Sequence, residues 1–443
     1  MKLNWFSPVP PTPSAIAAHA AAVLPALAER ASLTVWVHEL EWSPELEKHA
    51  RVRHYDPETI SWSEINEADM TIYHLGNHPE FHGPIWQVSR HHPGVVVLHD
   101  LSLQHFFAGM VIRNLGLSRT EYRDMMKVHH PDGGPEIATA ILTGRNPADA
   151  VHDYPLTGAA LENALAVAVH TQVGCSRLQN STALPVAHVP LFARPQESVG
   201  DAAAISRDKT TPDAIYRIIM FGFLAPNRRL ESILMALRDF PQKQRFRLDI
   251  YGTVQHEELL HKMIHRFGLK NTVTVHGFVP AAELNAALSR SDLAVNLRNP
   301  TMGEASASQL QIWQHGLPSL VSDTGWYATI PTNTVGIVRP DAEVEDIQTH
   351  LANFLQRPEI YRDMGRNGRR YVEEHHTIEA YVSGLLDLVK RAERARTRYA
   401  VLWMAGRAGR ALKPWFADTA GGVLLLHPAR TISELFDEHP PNA

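Results

Sequence analysis

Arg298 to Pro318 reads RNPTMGEASASQLQIWQHGLP, and its character changes sharply along its length. Leu293, Val295 and Leu297 lead into it with the alternation of a strand. Asn299-Pro300 then turns the chain and Gly303-Glu304 makes a bend. Ser306 to His315 reads as a helix closed by Gly316 and Pro318. Such a bend puts backbone N–H groups and one carboxylate at the C-terminal edge of a parallel sheet, where open α/β sheets bind nucleotides and sugars. An ordinary βα turn is the plainer reading of the same residues, so the surrounding chain has to decide.

Outward from this stretch, strand-length apolar runs alternate with amphipathic helical stretches, the pattern of βαβ units and a parallel sheet. The first half has strands expected at Leu3 to Phe6, Leu33 to Val37, Met70 to His74, Val95 to His99 and Leu165 to His170. Its clearest helix is Ser14 to Ala31, with Pro25 as a source of a kink. Ala193 to Pro212, ARPQESVGDAAAISRDKTTP, is polar, lacks aromatics and has no apolar period, and reads as a linker or exposed loop. The alternation restarts with Ile218 to Phe221, Arg247 to Tyr251, Val273 to His276, Leu293 to Leu297 and Ser319 to Ser322. A helical region, Ile378 to Arg396, carries Val382, Leu385, Leu386, Leu388 and Val389 near one face. Two α/β halves joined by a linker imply a cleft between domains, a usual place for a small-molecule site.

Composition narrows the function classes. A chain of 443 residues can bury large cores in two or three domains. Its 42 basic against 47 acidic residues, a net charge of −5, argue against bulk electrostatic binding to nucleic acid. No Walker-type loop or clustered zinc motif occurs, and His256 to His261, HEELLH, places its second His one position late for a zinc-protease helix. The pairs His91-His92, His129-His130 and His375-His376 lie beside Pro or charged residues and read as solvated. Cys175 is the single cysteine, read as a core thiol in a chain that can form no internal disulfide. The N-terminal MKLNWFSPVPPTPS puts a proline cluster where a secretory apolar core would run, and no apolar run approaches the roughly 18 residues of a membrane span. A cytoplasmic protein is expected.

The second half resembles the nucleotide-sugar domain of the GT-B glycosyltransferases, specifically the large retaining family four. The matching motifs run in order: Phe221-Gly222-Phe223-Leu224 with Asn227-Arg228-Arg229, Leu248 to Gly252, Val273 to Leu284 (VTVHGFVPAAEL), Ser291-Asp292-Leu293, the Glu304 segment, and Pro318 to Gly325. The likeness covers Tyr216 to Leu388 well. In the first half, Phe6 to Pro11 with Ser14 to Ala17, His74 to Asn77 and Val95 to Asp100 are similar more loosely. The resemblance implies two Rossmann-like domains facing a central cleft. The N-terminal domain (1–205) takes the acceptor, the C-terminal domain (206–380) takes the nucleotide-sugar, and closing helices with a tail (381–443) return to the N-terminal domain.

The same likeness assigns residues. His99 and Glu304 are the catalytic candidates. Gly222, Arg228, Arg229, Gly277, Ala305, Ser306, Ala307 and Gln311 fall on the donor side, and Ser14, Ala15 and Asn77 on the acceptor side. The chemistry is consistent: a departing diphosphate and an oxocarbenium-like centre need fixed positive charge and helix N-termini, and arginines can take the place of a divalent metal. No metal and no cofactor is therefore expected. The residue-level alternatives are a solvated Arg228, a Glu304 that only offsets a helix dipole, and a capping or core His99. Three departures stand out. Phe223 replaces a basic residue frequent in relatives, Ala15 a frequent Gly, and the family's Glu, seven residues, Glu spacing falls on Gly303 and Gln311, so Glu304 fits only with a one-residue shift.

A retaining transfer with no second obvious carboxylate points to front-face attack, a phosphate oxygen accepting the acceptor's proton. The partners implied are a nucleoside-diphosphate sugar and a glycan, lipid-linked or small-molecule acceptor, in bacterial surface polysaccharide synthesis. A nucleotide-sugar epimerase or hydrolase, and a non-catalytic nucleotide-binding subunit, are the alternatives. A nicotinamide dehydrogenase lacks its GxGxxG loop here. Finally, Arg391 to Phe416 joins seven basic residues to Val401, Leu402, Trp403, Leu412, Trp415 and Phe416, a composition suited either to an anionic bilayer surface at the inner face of the membrane or to packing on the N-terminal domain.

Overall fold

The computed structural model describes residues 1–145, 150–194 and 214–416. The expected linker therefore lies outside the described residues, apart from Ala193 and Arg194.

Two runs show why the chain folds as layered α/β. GVVVL and ALAVAV form β5 (Gly94–Leu98) and β6 (Ala164–Val169), buried at every residue, as strands covered by helices on both faces must be. They join β1 (Lys2–Phe6), β2 (Ser32–Val37), β3 (Arg51–His54), β4 (Met70–Leu75) and β7 (Val186–His188) in a parallel sheet ordered β3-β2-β1-β4-β5-β6-β7. The second sheet holds β8 (Tyr216–Phe221), β9 (Phe246–Tyr251), β10 (Val273–Gly277), β11 (Leu293–Val295), β12 (Ser319–Ser322) and β13 (Gly336–Val338). It is also parallel, in the order β10-β9-β8-β11-β12-β13. Both sheets reverse their winding beside their first strand, between β1 and β4 and between β8 and β11. These are the switch points beyond whose C-terminal ends ligands bind in open α/β sheets.

Every strand expected from the sequence forms, within a few residues. Three strands were not foreseen. β3 is a four-residue edge strand reading RVRH, and β7 and β13 have three residues each, too short for a periodic signal. β11 ends at Val295 rather than Leu297, which frees Asn296 to serve side-chain hydrogen bonds. The first helix is Ala15–Ala28, with the Ser14 hydroxyl accepting the Ile16 N–H at 3.2 Å.

The closing helix, Ile378–Phe416, starts next to the second domain and returns to the first. Tyr381, Val382, Leu385, Leu386, Leu388, Val389 and Ala392 are buried in the core formed by one face of the first sheet and helix Ala15–Ala28. Burying each large apolar side chain contributes about 1.5–3 kcal/mol, so these contacts fix the helix firmly to the first domain. Cys175 is buried, as expected. The expectation of solvated histidine pairs is corrected at His376, which is buried with Nδ1 donating to Leu191 O at 2.5 Å, because the turn into the closing helix packs on the chain leaving the first domain.

Candidate functional site

The C-terminal edges of the two sheets face one another across a cleft of about 2090 Å³. His99, Glu304, Gly222, Arg228, Ala305, Ser306, Ala307, Gln311, Ala15 and Asn77 all line it. Ser14, Arg229 and Gly277 are not among its lining. Ser14 is committed to its helix cap. Arg229 sits in the left-handed region with φ 56°, which turns its guanidinium away to Glu343, Nε donating to both carboxylate oxygens at 2.8 Å. Gly277 ends β10, where its carbonyl accepts the Gly252 N–H at 2.6 Å. The stacking of strand ends, not sequence proximity to Arg228, decides these placements.

On the second-domain wall, the strand, the bend and the helix are tied by Asn296. Its Nδ2 donates to Gln309 Oε1 at 2.9 Å and its Oδ1 accepts from Arg228 Nη2 at 2.8 Å. Arg228 also reaches Phe221 O at 3.3 Å. It is buried, yet its Nε has no hydrogen-bond partner, and neither has Nε of the neighbouring Arg298. Burial, with the nearby Arg298 charge, brings the Arg228 guanidinium down to about 10, so it stays charged at neutral pH. Ser306 caps the helix Ala307–Gln314 by accepting the Gln309 N–H at 3.2 Å. Ala307 and Ser308, whose N–H groups precede that capped one at the helix start, line the cleft.

Glu304 does not reach into open space. Its carboxylate is ion-paired with Arg298 and accepts from Met302 N at 2.6 Å and Thr301 Oγ1 at 3.0 Å. The bend folds back on itself, so the carboxylate shapes its own loop, a correction to its expected aim at sugar hydroxyls. Gln311 Nε2 is likewise occupied, donating to Asn285 Oδ1 at 3.0 Å. Phe223, the aromatic in a basic residue's place, is exposed at the cleft rim.

The first-domain wall of the cleft carries a chain of imidazoles. His170 Nδ1 lies 2.9 Å from Val189 O, which can only accept, so that nitrogen carries a proton. A neutral His170 must then accept at Nε2 from His99 Nδ1 (3.3 Å), and His99 Nε2 must accept from His74 Nδ1 (2.9 Å). Both ring nitrogens of His99 are thus engaged by protein, another correction to its expected contact with substrate. Burial, reinforced by His170 and then His74, holds His99 well below the usual histidine range. Burial likewise brings His170 and His82 down to about 4, so the cluster is neutral at pH 7. Both ends of the Asn77 side chain are held by protein: Nδ2 donates to Ser102 O at 2.6 Å and Oδ1 accepts from Phe106 N at 3.1 Å.

Sequence reasoning gave no role to Asp100, Arg298, His19, His170 and Arg194, which also line the cleft. Arg298 and Asp100 carried a readable signal, Arg298 directly after Leu297 and Asp100 two residues past the apolar run that ends at Leu98. The two sides touch: Leu101 N and Ser102 N both donate to Met302 O, at 2.8 and 3.0 Å, joining the loop after β5 to the Glu304 bend. Among the described residues no group of three or more His, Cys, Asp or Glu is arranged to hold a metal ion.

Two Rossmann-like domains facing a cleft, with a closing helix returning to the first, is the GT-B architecture of glycosyltransferases. Residues 201–371 match the family described as Glycosyl transferases group 1. Among solved structures, the chain is similar to Anabaena HepE in complex with UDP and glucose, at 13% identity and a TM-score of 0.60, covering 88% of this chain and 99% of that one. It is similar to sucrose-phosphate synthase from Thermosynechococcus elongatus at 16% identity and a TM-score of 0.60, covering 89% and 100%. A glycosyltransferase from Rickettsia africae gives 10% identity and a TM-score of 0.59, covering 88% and 98%. No curated protein matches the sequence.

Proposed function

We propose that the protein is a retaining, metal-independent glycosyltransferase that moves a hexosyl unit from a nucleoside-diphosphate sugar to a hydroxyl of a glycan, lipid-linked or small-molecule acceptor. The observation that carries this reading is the pair of neighbouring guanidiniums, Arg228 buried and Arg298 partly buried and paired with Glu304, each with a buried Nε that has no hydrogen-bond partner, beside the N-terminus of helix Ala307–Gln314. Two guanidiniums side by side, with one carboxylate between them and buried N–H donors left unsatisfied, favour a further anion at this edge, and a departing diphosphate is such an anion. The group 1 match over the domain that holds both arginines supports the same donor class. Retention and front-face attack rest on the resemblance to family four.

The test is a thermal-shift screen of UDP, GDP and ADP and their sugars, followed by product analysis with glycan and glycolipid acceptors. A nucleoside diphosphate should raise the melting temperature, and its sugar should be transferred with retained anomeric configuration. No stabilisation by any of them overturns the reading. The commitment of Glu304 and Gln311 to protein partners favours a second reading, a nucleotide-binding subunit without turnover; stabilisation with no transfer to any acceptor selects it. Release of free sugar without an acceptor selects a hydrolase.

We also propose peripheral contact with the inner face of a membrane through 391–416, in surface polysaccharide synthesis. Helix Ile378–Phe416 continues well past Ala392, which is buried in the first-domain core, and no helix among the described residues is long and apolar enough to cross a membrane. Salt-sensitive flotation with anionic vesicles, lost on deletion after Arg396, is the expected result; no flotation of the intact protein removes this element.

A further inference from the structure

We propose that Asp100 is the acceptor-side catalytic residue: its Oδ1 takes the hydrogen bond of the attacking hydroxyl and then its proton. The inference rests on the glycosyl-transfer reading above and names the base that reading leaves to a phosphate oxygen.

Two carboxylates line the cleft from opposite domains, and they differ in what remains free. Both oxygens of Glu304 are engaged, Oε1 by Arg298 and Oε2 by Met302 N–H and Thr301 Oγ1. Asp100 has one oxygen anchored, Oδ2 accepting the Asn77 N–H at 2.9 Å, while no hydrogen bond from the described residues reaches Oδ1. The anchor is firm, because both ends of the Asn77 side chain are themselves held, by Ser102 O and Phe106 N. Asp100 stands two residues beyond Leu98, the last residue of β5, and lies partly open to the cleft. The bonds from Leu101 N and Ser102 N to Met302 O then draw its loop against the bend that carries Glu304 and Arg298. Asp100 Oδ1 is therefore the cleft carboxylate oxygen that no hydrogen bond from the described residues reaches, and it stands on the first-domain side where the two domains meet.

Its surroundings suit a base. Burial, and next the facing Glu304, raise the Asp100 carboxyl to about 7, against smaller opposing effects of the Asn77 N–H and Arg298. His99 on its own strand end and His82 on helix Pro79–Ser89, whose Nε2 and Asp100 Oδ2 both approach Gly76, are the other titratable neighbours. Burial lowers both of these imidazoles, so they stay neutral where Asp100 titrates. In the step itself, the bond from C1 to the phosphate oxygen breaks and its electron pair leaves with the diphosphate. The acceptor oxygen bonds to C1, and its proton passes to Asp100 Oδ1, which returns it to cleft water after product release.

The experiment compares the unmodified protein with Asp100→Asn, using the UDP-, GDP- or ADP-sugar identified by thermal shift and octyl glycosides or oligosaccharides as acceptors. The expected result is a loss of about 100-fold or more in kcat, with the Kd for the nucleoside diphosphate unchanged. For the unmodified protein, kcat/KM should fall on one protonation as the pH drops through about 7, the base being active only when deprotonated. That limb should be absent from the residual activity of Asp100→Asn. If Asp100→Asn melts early, Asp100→Glu, which keeps a carboxylate, should retain the acidic limb. Transfer by Asp100→Asn near the native rate, an equal loss of nucleotide binding, or a flat acidic limb in the unmodified protein overturns the role of Asp100 alone. Absence of transfer by the unmodified protein with every donor overturns the glycosyl-transfer reading and this inference with it.

Discussion

At the residue scale, Arg228 and Glu304 separate a binding role from a shaping one. Arg228 holds the strand end through Phe221 O and Asn296 and still has an unpartnered Nε. Arg228→Ala should weaken nucleoside-diphosphate binding by roughly 1.5–3 kcal/mol while leaving nucleoside binding nearly unchanged. Titration calorimetry with both ligands checks this, and equal losses would place the guanidinium away from the phosphates. Glu304→Gln removes the charge that pairs Arg298 within a mostly buried loop. Transfer should fall, and because the partner charge is left uncompensated the melting temperature should fall too, by the equivalent of about 1–3 kcal/mol. An unchanged melting temperature would mean the pair contributes to catalysis alone. His99→Ala is expected to destabilise as well, since it strips a donor from His170 Nε2 and an acceptor from His74 Nδ1.

At the scale of elements, two glycines mark where segments meet without room for a side chain. Gly303 has φ +83°, and a Cβ there would lie 2.7 Å from Leu101 side-chain atoms of the other domain. Gly303→Ala is expected to strain the bend and push apart the loops joined at Met302 O, lowering transfer more than nucleotide affinity. A proportional loss of both, in kinetics and thermal shift, would count against a role in joining the domains. Gly365, on helix Pro358–His375, is closer still: a Cβ would meet Gly316 O at 2.1 Å. Gly365→Ala should cost about 1–3 kcal/mol in stability, read by denaturant unfolding, because backbone must move to admit it.

Across the whole molecule, the buried histidines set the acid limit of stability. His19, His74, His99, His82, His170 and His376 are all lowered by burial. The unfolded chain therefore binds more protons than the folded one once the pH drops below the ordinary value near 6.5, and stability falls from there towards about 4. Each such group costs about 1.4 kcal/mol per pH unit in that window. Asp100, raised rather than lowered, works in the opposite direction between its folded value of about 7 and its ordinary one, but it is a single group. Calorimetric scans should show a melting temperature nearly level from pH 7 to 8.5 and dropping steeply between 6.5 and 4.5. A level profile through pH 5 would contradict neutral burial of the cluster.

Local pattern alone determined the alternating strands, the two α/β halves, the buried Cys175 and the strand-turn-helix bend at Arg298 to Pro318. Each depends on periodicity or turn chemistry carried by neighbours in the chain. The short strands β3, β7 and β13 escaped because three or four residues hold no period. Tertiary structure decided which polar groups are free to act. Arg229 is claimed by Glu343, 114 residues away, and His99 by His170, 71 residues away. Asp100 is anchored by Asn77 across 23 residues, while Glu304 is taken up by its own loop only because the bend folds back on itself. A side chain's spare hydrogen-bonding valence depends on which partners the sheets bring to one edge, and that pairing is fixed by topology and not by the residue's place in a motif.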